Sequence, residues 1–299
     1  MFTDFQNGVT IDFTLKPLGP IIVRTQRSNL EPGIADVTFQ RTRQGGRETV
    51  FLAGSGLKGV VRAHCERLLR THGLHVCDPT RPNERNACGC RDHREGRNRP
   101  GADLGGQCPA CFTFGSLNMA GRFRIGDALP TVDGFEAANR TEVRTGVGIS
   151  RKNGSAVQGV LYDSEVVVDG KFGVRLSGEN FSLWQVGLIG QALQDLDAGF
   201  YQIGGCKSRG MGTVRLDDWS VSFRFLDREI GKLRGVGNRG KNRRTYHLPD
   251  CDEMDCGNAA EEENRGFFRM VKYRGVAVDD LFNRLTRKAL TEFLEARRK

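Results

Sequence analysis

Apolar and polar side chains alternate from Val9 to Leu15 (Val-Thr-Ile-Asp-Phe-Thr-Leu), the two-residue period of a strand with one buried face. The stretch that follows, 17–48, is polar and rich in Gly, Arg and Gln, and reads as a long ordered loop. Beyond Gly56 the spacing lengthens. Leu57, Val60, Val61, Cys65, Leu68 and Leu69 fall at helical steps, and Gly73 is placed to end the helix. Residues 76–108 then hold Cys, Pro, Gly, Arg and Asp with almost no aliphatic side chains. Such a segment buries too little apolar surface to offset its own ordering entropy, so it needs another source of order.

Strand-like patterning returns at 122–128 and at 160–168. Val186, Ile189, Leu193 and Leu196 mark a second amphipathic helix closed by Gly199, and 213–225 alternates again as a last strand. Strand, helix, two strands, helix, strand is the β-α-β-β-α-β order of a ferredoxin-like α+β fold, here with long insertions after the first strand and the first helix. After Leu226 the chain turns basic at 232–244 and acidic at 250–263. It closes with a helix expected to start at Asp279, carrying Leu281, Phe282, Leu285, Phe293 and Leu294 on one side. Lys288, Arg297, Arg298 and Lys299 suit the C-terminal end of its dipole. That shift divides the chain into a main domain, 1–225, and a C-terminal extension, 226–299.

Composition narrows the class. Of 299 residues, 38% are hydrophobic and 27% charged, which excludes wholesale disorder. No run approaches the ~18–20 apolar residues of a membrane span, and the N-terminus lacks a basic-then-apolar leader, so a cytoplasmic protein is expected. Lys and Arg number 45 against 36 Asp and Glu, a net charge of +9. The 39 glycines, nearly twice the ordinary share of about 7%, follow no collagen period. Glycine-rich turns with a positive balance point to backbone approaching a polyanion.

Nine cysteines are present, five of them between Cys77 and Cys111. That clustering favours a reducing compartment and a metal site over a disulfide framework. Cys108-Pro-Ala-Cys111 is a CxxC knuckle, and four thiolates closing a tetrahedral shell would order the aliphatic-poor insertion. The expected ligands are Cys77, Cys88, Cys108 and Cys111, with Cys90 as the substitute for Cys88 and His75 or His93 less favoured. Enough cysteines are at hand to leave no open position, so the expected ion is structural zinc.

Two glycine-rich stretches complete the chemistry. Ala53-Gly-Ser-Gly-Leu-Lys-Gly-Val-Val-Arg62 delivers Ser55 to the start of the first helix, with Lys58 and Arg62 four apart beside it. This reads equally as a phosphate cradle or as an ordinary helix start with a solvated basic face. Ile203-Gly-Gly-Cys-Lys-Ser-Arg-Gly-Met-Gly-Thr213 places Lys207, Ser208 and Arg209 among Gly204, Gly205, Gly210 and Gly212. Three donors among four glycines favour a cradle for a phosphate backbone over a plain hairpin loop. Gly235-Val-Gly-Asn-Arg-Gly240 matches a dinucleotide fingerprint only superficially, since no strand–helix unit with a downstream acid surrounds it.

In combination, Gly54-Ser-Gly-Leu-Lys-Gly59, Cys108-Pro-Ala-Cys-Phe-Thr-Phe-Gly-Ser116 and Gly204-Gly-Cys-Lys-Ser-Arg-Gly-Met-Gly212 resemble the RAMP superfamily, specifically the backbone subunits of type III CRISPR effector complexes. Thr145-Gly-Val-Gly-Ile-Ser-Arg-Lys-Asn-Gly-Ser-Ala156, with Leu161-Tyr-Asp-Ser-Glu-Val166, is similar to that family's central segment. The resemblance covers about 9–225. It implies an RRM-type palm, a zinc-bearing insertion at 76–111 and a thumb hairpin at about 140–175. It also implies binding of a CRISPR guide RNA and a target single-stranded RNA, beside other backbone subunits and a large polymerase-like subunit. By motif, Ser55, Lys58, Arg62, Gly204, Gly205, Lys207, Ser208 and Arg209 would hold guide phosphates, with Arg144 and Arg151 as further RNA contacts. In many such subunits a loop aspartate cuts target RNA with Mg²⁺ or Mn²⁺ and the in-line 2′-hydroxyl; Asp36 occupies that loop here. A non-catalytic scaffold subunit is the alternative.

Overall fold

Alternation at Val9, Ile11, Phe13 and Leu15 puts all four side chains on one buried face of β1 (Asn7–Pro17), the central strand of the sheet. The computed structural model describes residues 4–23, 35–78, 88, 107–117, 119–226, 230–238, 249, 251–257 and 261–298. In chain order β1 is followed by a hairpin of β2 (Arg41–Gln44) and β3 (Arg47–Val50), then helix α1 (Gly54–Thr71). The short α2 (Pro109–Phe114), β4 (Phe123–Ile125), β5 (Leu129–Pro130) and the one-turn α3 (Phe135–Ala138) come next. A second hairpin, β6 (Glu142–Ile149) and β7 (Ala156–Val166), leads to β8 (Phe172–Glu179), α4 (Leu183–Asp197) and β9 (Val214–Phe225). A small ribbon of β10 (Lys232–Arg234) and β11 (Glu253–Asp255) precedes β12 (Glu261–Arg265) and β13 (Phe268–Arg274). The C-terminal helices α5 (Val276–Leu285) and α6 (Thr291–Arg298) are joined by a π-helical stretch, Thr286–Leu290.

The main sheet runs β12-β13-β9-β1-β8-β4, with β5 also on β8, and every pairing is antiparallel. In register, Ile11 stands opposite Leu176 of β8 and Val221 of β9, all three buried. Helix α1 buries Leu57, Val61, Cys65 and Leu69. At its end Gly73 takes φ 82° and the Leu74 N–H returns to the Leu69 carbonyl at 3.1 Å, the stop that a glycine provides.

Helix α4 starts earlier than its apolar spacing predicts, because Ser182 and Gln185 form a capping box. It is buried on almost every side, between α1 and the C-terminal helices. The Gly190 Cα lies against the Phe282 ring, where a Cβ would come within 2.5 Å, and Trp184 stacks on Phe293 with centroids 3.9 Å apart. The C-terminal segment therefore shares this core, and β13 extends the sheet beside β9.

Three sequence expectations change. The strand paired between β1 and β4 is β8, not 160–168, which belongs to the β6–β7 hairpin. Gly173 and Gly178 interrupt β8's apolar signal, although Phe172, Val174 and Leu176 do face inward. Within the expected loop 17–48, residues 41–50 form a hairpin around Gly45-Gly46, both at positive φ, the backbone a tight two-residue turn requires. The last helix begins at Val276, with Gly275 before it, and Asp279 lies in its first turn. No helix among the described residues is long and apolar enough to cross a membrane.

Candidate metal centre and nucleic-acid interface

Cys77, Cys88, Cys108 and Cys111 converge, their four Sγ atoms all within 4.8 Å of one another and every residue buried. Cys108 is the N-cap of α2, and its Sγ accepts the Cys111 N–H at 3.4 Å. Pro109 opens the helix, where its missing N–H leaves no bond unmade. Cys88 Sγ accepts the Cys108 N–H at 3.1 Å, and Cys77 Sγ lies 3.3 Å from Cys111 Sγ and 3.8 Å from Cys108 Sγ. Sulfurs bound at about 2.3 Å around a tetrahedral ion stand about 3.8 Å apart, so the cage is of that size. Hydrogen bonds from Cys111, Cys77 and Cys88 pull the Cys108 thiol well below its ordinary range. The group could hold a metal ion such as zinc. His75 is exposed and outside it, and Cys90 and His93 lie outside the described residues.

Arg62 belongs to this centre. Its side chain is only 17% exposed, with Nε donating to Glu66 Oε1 at 2.8 Å, Nη1 to the Gly115 carbonyl at 2.9 Å and Nη2 to Cys111 Sγ at 3.4 Å. At the position expected to contact a phosphate, protein groups already occupy this guanidinium, on the flank of α1 that meets α2.

The first glycine-rich motif divides in the same way. A Cβ on Gly54 would lie 2.3 Å from the Ile125 carbonyl, so this glycine lets α1 approach β4, and its N–H is taken by Asp127 Oδ1 at 2.7 Å. Gly56 and Gly59 have nothing within 4 Å of an added Cβ. Together with Arg67, Phe200, Tyr201, Gln202 and Lys207 they line a cleft of about 570 Å³. Ser55 is exposed at its edge of the helix, and Lys58 is half-buried. Burial lowers the Lys58 pKa, as do the neighbouring charges of Arg62 and Arg124, and burial lowers that of Lys207.

In the second motif Lys207–Arg209 form a 3-10 turn with all three residues exposed. Gly204 and Gly205 are half-buried, and the close approach they permit is made by the protein itself. A Cβ on Gly204 would stand 2.4 Å from the Ile22 carbonyl and one on Gly205 3.2 Å from the Ile22 side chain. Their lack of a Cβ serves the packing of this loop on 21–22.

Asp36 is exposed and sits at the base of the β6–β7 ribbon, where its Oδ2 accepts the Asp163 N–H at 2.9 Å. The Val37 N–H bonds to the Asp163 carbonyl at 3.1 Å, and the Glu165 N–H returns to the Val37 carbonyl at 2.8 Å. Glu165 locks the joint: it accepts from the Phe39 N–H at 2.8 Å, from Arg41 Nη1 at 3.0 Å and from Thr141 Oγ1 at 2.6 Å. Burial would raise the Glu165 pKa, but the bonds from Arg41, Thr141 and Phe39 outweigh it and hold the carboxyl at about 2. Among the described residues no third acid or histidine joins Asp36 and Asp163 in a metal-sized group.

Beyond that joint the ribbon is exposed on both faces, with Val143, Val147, Ile149, Val157, Val160 and Leu161 open to solvent. Arg144 pairs with Glu142 at 3.3 Å, Arg151 lies in the ribbon's turn, and Arg209 stands over the Tyr162 ring at 5.4 Å.

A family model described as the RAMP superfamily matches residues 14–215, from within β1 to the start of β9. The chain belongs to the RAMP superfamily. No curated protein matches it. RAMP membership implies a CRISPR-associated RNA-binding subunit. In this RAMP protein His64 is no free acid–base group: Nε2 faces Asp195 Oδ2 at 2.6 Å, Nδ1 faces Arg67 Nη2 at 2.7 Å, and the ring stacks on Tyr201. His72 and His75 are exposed beyond the end of α1, and His247 lies outside the described residues. The outer face of the RAMP sheet presents Thr10, Asp12, Thr14, Arg175 and Ser177 from β1 and β8, with Asp12 and Arg175 ion-paired at 2.7 Å. The aromatic residues of these two strands, Phe13 and Phe172, are buried on the inner face, so the outer face offers no ring for the base stacking that RRM sheets use. Sequence reasoning passed over Arg124, Arg67 and Phe200. Arg124 follows from the outward position in Phe-Arg-Ile, and Phe200 from its place directly after the helix-ending Gly199.

Proposed function

We propose that this chain is a backbone subunit of a type III CRISPR ribonucleoprotein that holds guide RNA and cuts complementary target RNA at Asp36. The carrying observation is the joint between the Asp36 loop and β7, which fixes an exposed carboxylate at the root of an exposed apolar ribbon. A two-stranded ribbon is marginal alone in water, and exposed apolar patches mark interaction sites. We read the ribbon as the thumb that enters the guide–target duplex, and β9-β1-β8-β4 with α1 and α4 as the ferredoxin-like palm. Ser55, Lys58, Lys207, Ser208 and Arg209 are the proposed guide contacts, with Arg144 and Arg151 toward the target. The four cysteines would hold structural zinc, and Arg62 orients that centre.

One carboxylate suits a Mg²⁺ or Mn²⁺ ion that keeps most of its waters and is shared with substrate phosphates. Such an ion would neutralise charge at the scissile phosphate. Asp36 would position it, with water taking the 2′-hydroxyl proton, or would take that proton itself; the 2′-oxygen bonds to phosphorus as the 5′-oxygen leaves and receives a proton from solvent. The products end in a 2′,3′-cyclic phosphate and a 5′-hydroxyl. The test is a complex assembled on guide RNA and offered complementary RNA with Mg²⁺. Asp36→Ala should abolish cutting and leave guide binding within about twofold. Unchanged cutting by the variant would remove Asp36 from the chemistry, and no cutting by the wild type would favour the scaffold reading.

A further inference from the structure

We infer that the cleft between α1 and the loop after α4 is a nucleotide subsite, in which Phe200 stacks on a base of single-stranded RNA and Lys207 meets its phosphate. This rests on the RNA-binding reading above and adds to it a base-stacking platform away from both the sheet face and the ribbon.

Phe200 is 72% exposed, an unusual setting for a large apolar ring. It is not loosely held. Gly199 at φ 79° ends α4, and the Phe200 N–H returns to the Asp195 carbonyl at 3.0 Å. The next side chain fixes the direction by contrast: Tyr201 points inward, bonded through its hydroxyl to the Ala192 carbonyl at 2.9 Å and stacked on His64 at 4.1 Å. Phe200 is thus turned outward from a hydrogen-bonded turn, opposite in direction to Tyr201.

The opposite wall is bare. Gly56 and Gly59 expose the backbone of α1 with nothing within 4 Å of an added Cβ, which leaves space for a planar group beside the ring. At about 570 Å³ the cleft lies within the span of roughly 300–1,000 Å³ typical of small-ligand sites. Its charge has one sign: Arg67 and Lys207 line it and no acid does. The Lys207 ammonium lines the cleft and has no ion-pair partner among the described residues, the setting of a cation open to an anion. A ring, a cation and an acid-free bare wall match a nucleotide, whose base offers a π-face and whose phosphate offers the charge. A purely apolar protein segment would leave the Lys207 charge unanswered.

The test uses the purified chain and a single-stranded RNA carrying 2-aminopurine, read by anisotropy and by quenching of the base on stacking. Phe200→Ala should weaken binding by between about 5- and 150-fold and abolish the quenching, as loss of one stacked base does. Phe200→Tyr should retain both within about twofold, whereas Phe200→Leu should behave as Phe200→Ala. Wild-type binding with an unchanged Phe200→Ala variant would overturn this subsite and leave the RNA-binding reading intact. Equal retention by Leu and Tyr would make the ring a generic apolar contact and would also overturn it. A wild-type chain that binds no RNA would refute the underlying reading itself.

Discussion

Replacing Glu165 by Gln strikes the joint that carries Asp36. The Glu165 side chain is 10% exposed and serves the Phe39 N–H, Arg41 and Thr141 at once. Its carboxyl is held at about 2 against an ordinary 4.5. At about 1.4 kcal/mol per factor of ten in acid strength, that preference corresponds to about 3 kcal/mol favouring the ionised, folded form. Because the folded value is the lower one, this stability is present above pH 4.5 and lost as pH falls through 2. Gln keeps one acceptor and loses the charge that faces Arg41, so about 1.5–3 kcal/mol should go at neutral pH. Urea unfolding of both proteins from pH 7 to pH 2 reads the effect, and the gap should narrow below about pH 4.5 and be largely gone near pH 2. Hydrogen exchange adds a local readout, since the Val37 and Phe39 amides should exchange faster in the variant. Parallel stability curves across the whole range, with those amides unchanged, would refute the reasoning.

The metal centre makes two further demands. Elemental analysis should find about one zinc per chain, and a strong chelator should lower the melting temperature; a metal-free protein of equal stability would contradict the site. Arg62→Gln should release metal to a chelator about 10-fold faster or more, as expected for a group bonded to a ligand sulfur, while RNA binding keeps its salt dependence. Wild-type metal retention with a shallower salt dependence would return Arg62 to the RNA.

Much of this arrangement was legible from local pattern. Alternation in β1 and β9 and the helical spacing of α1 and α4 survive intact because each buries one face against the same core. The cysteine set was legible because an insertion with almost no aliphatic residues has little core of its own, and Cys77, Cys88, Cys108 and Cys111 do meet. The strand between β1 and β4 was not, since Gly173 and Gly178 remove side chains from β8 while the exposed part of β7 carries Val and Leu as though half-buried. The bonds of Arg62 to the cysteine centre were not legible for a different reason. Its four-residue spacing from Lys58 places both on adjacent helical positions, but only packing against α2 decides which one turns inward. The glycines behaved alike in sequence and oppositely in space: Gly54 and Gly204 meet backbone, Gly56 and Gly59 meet none. Spacing specifies where a chain can approach a ligand, and tertiary contact decides whether it is instead filled by the protein.

The most direct test is the salt dependence of RNA affinity between about 50 and 200 mM. Each phosphate contact to a single strand contributes a slope of about −0.7 in log affinity against log salt. The wild-type chain should bind with a steep negative slope, and joint replacement of Lys58 and Lys207 by Gln should make it shallower by about 1.4. RNA binding without salt dependence, or a double variant with the wild-type slope, would contradict an interface built on α1 and the glycine-rich turn.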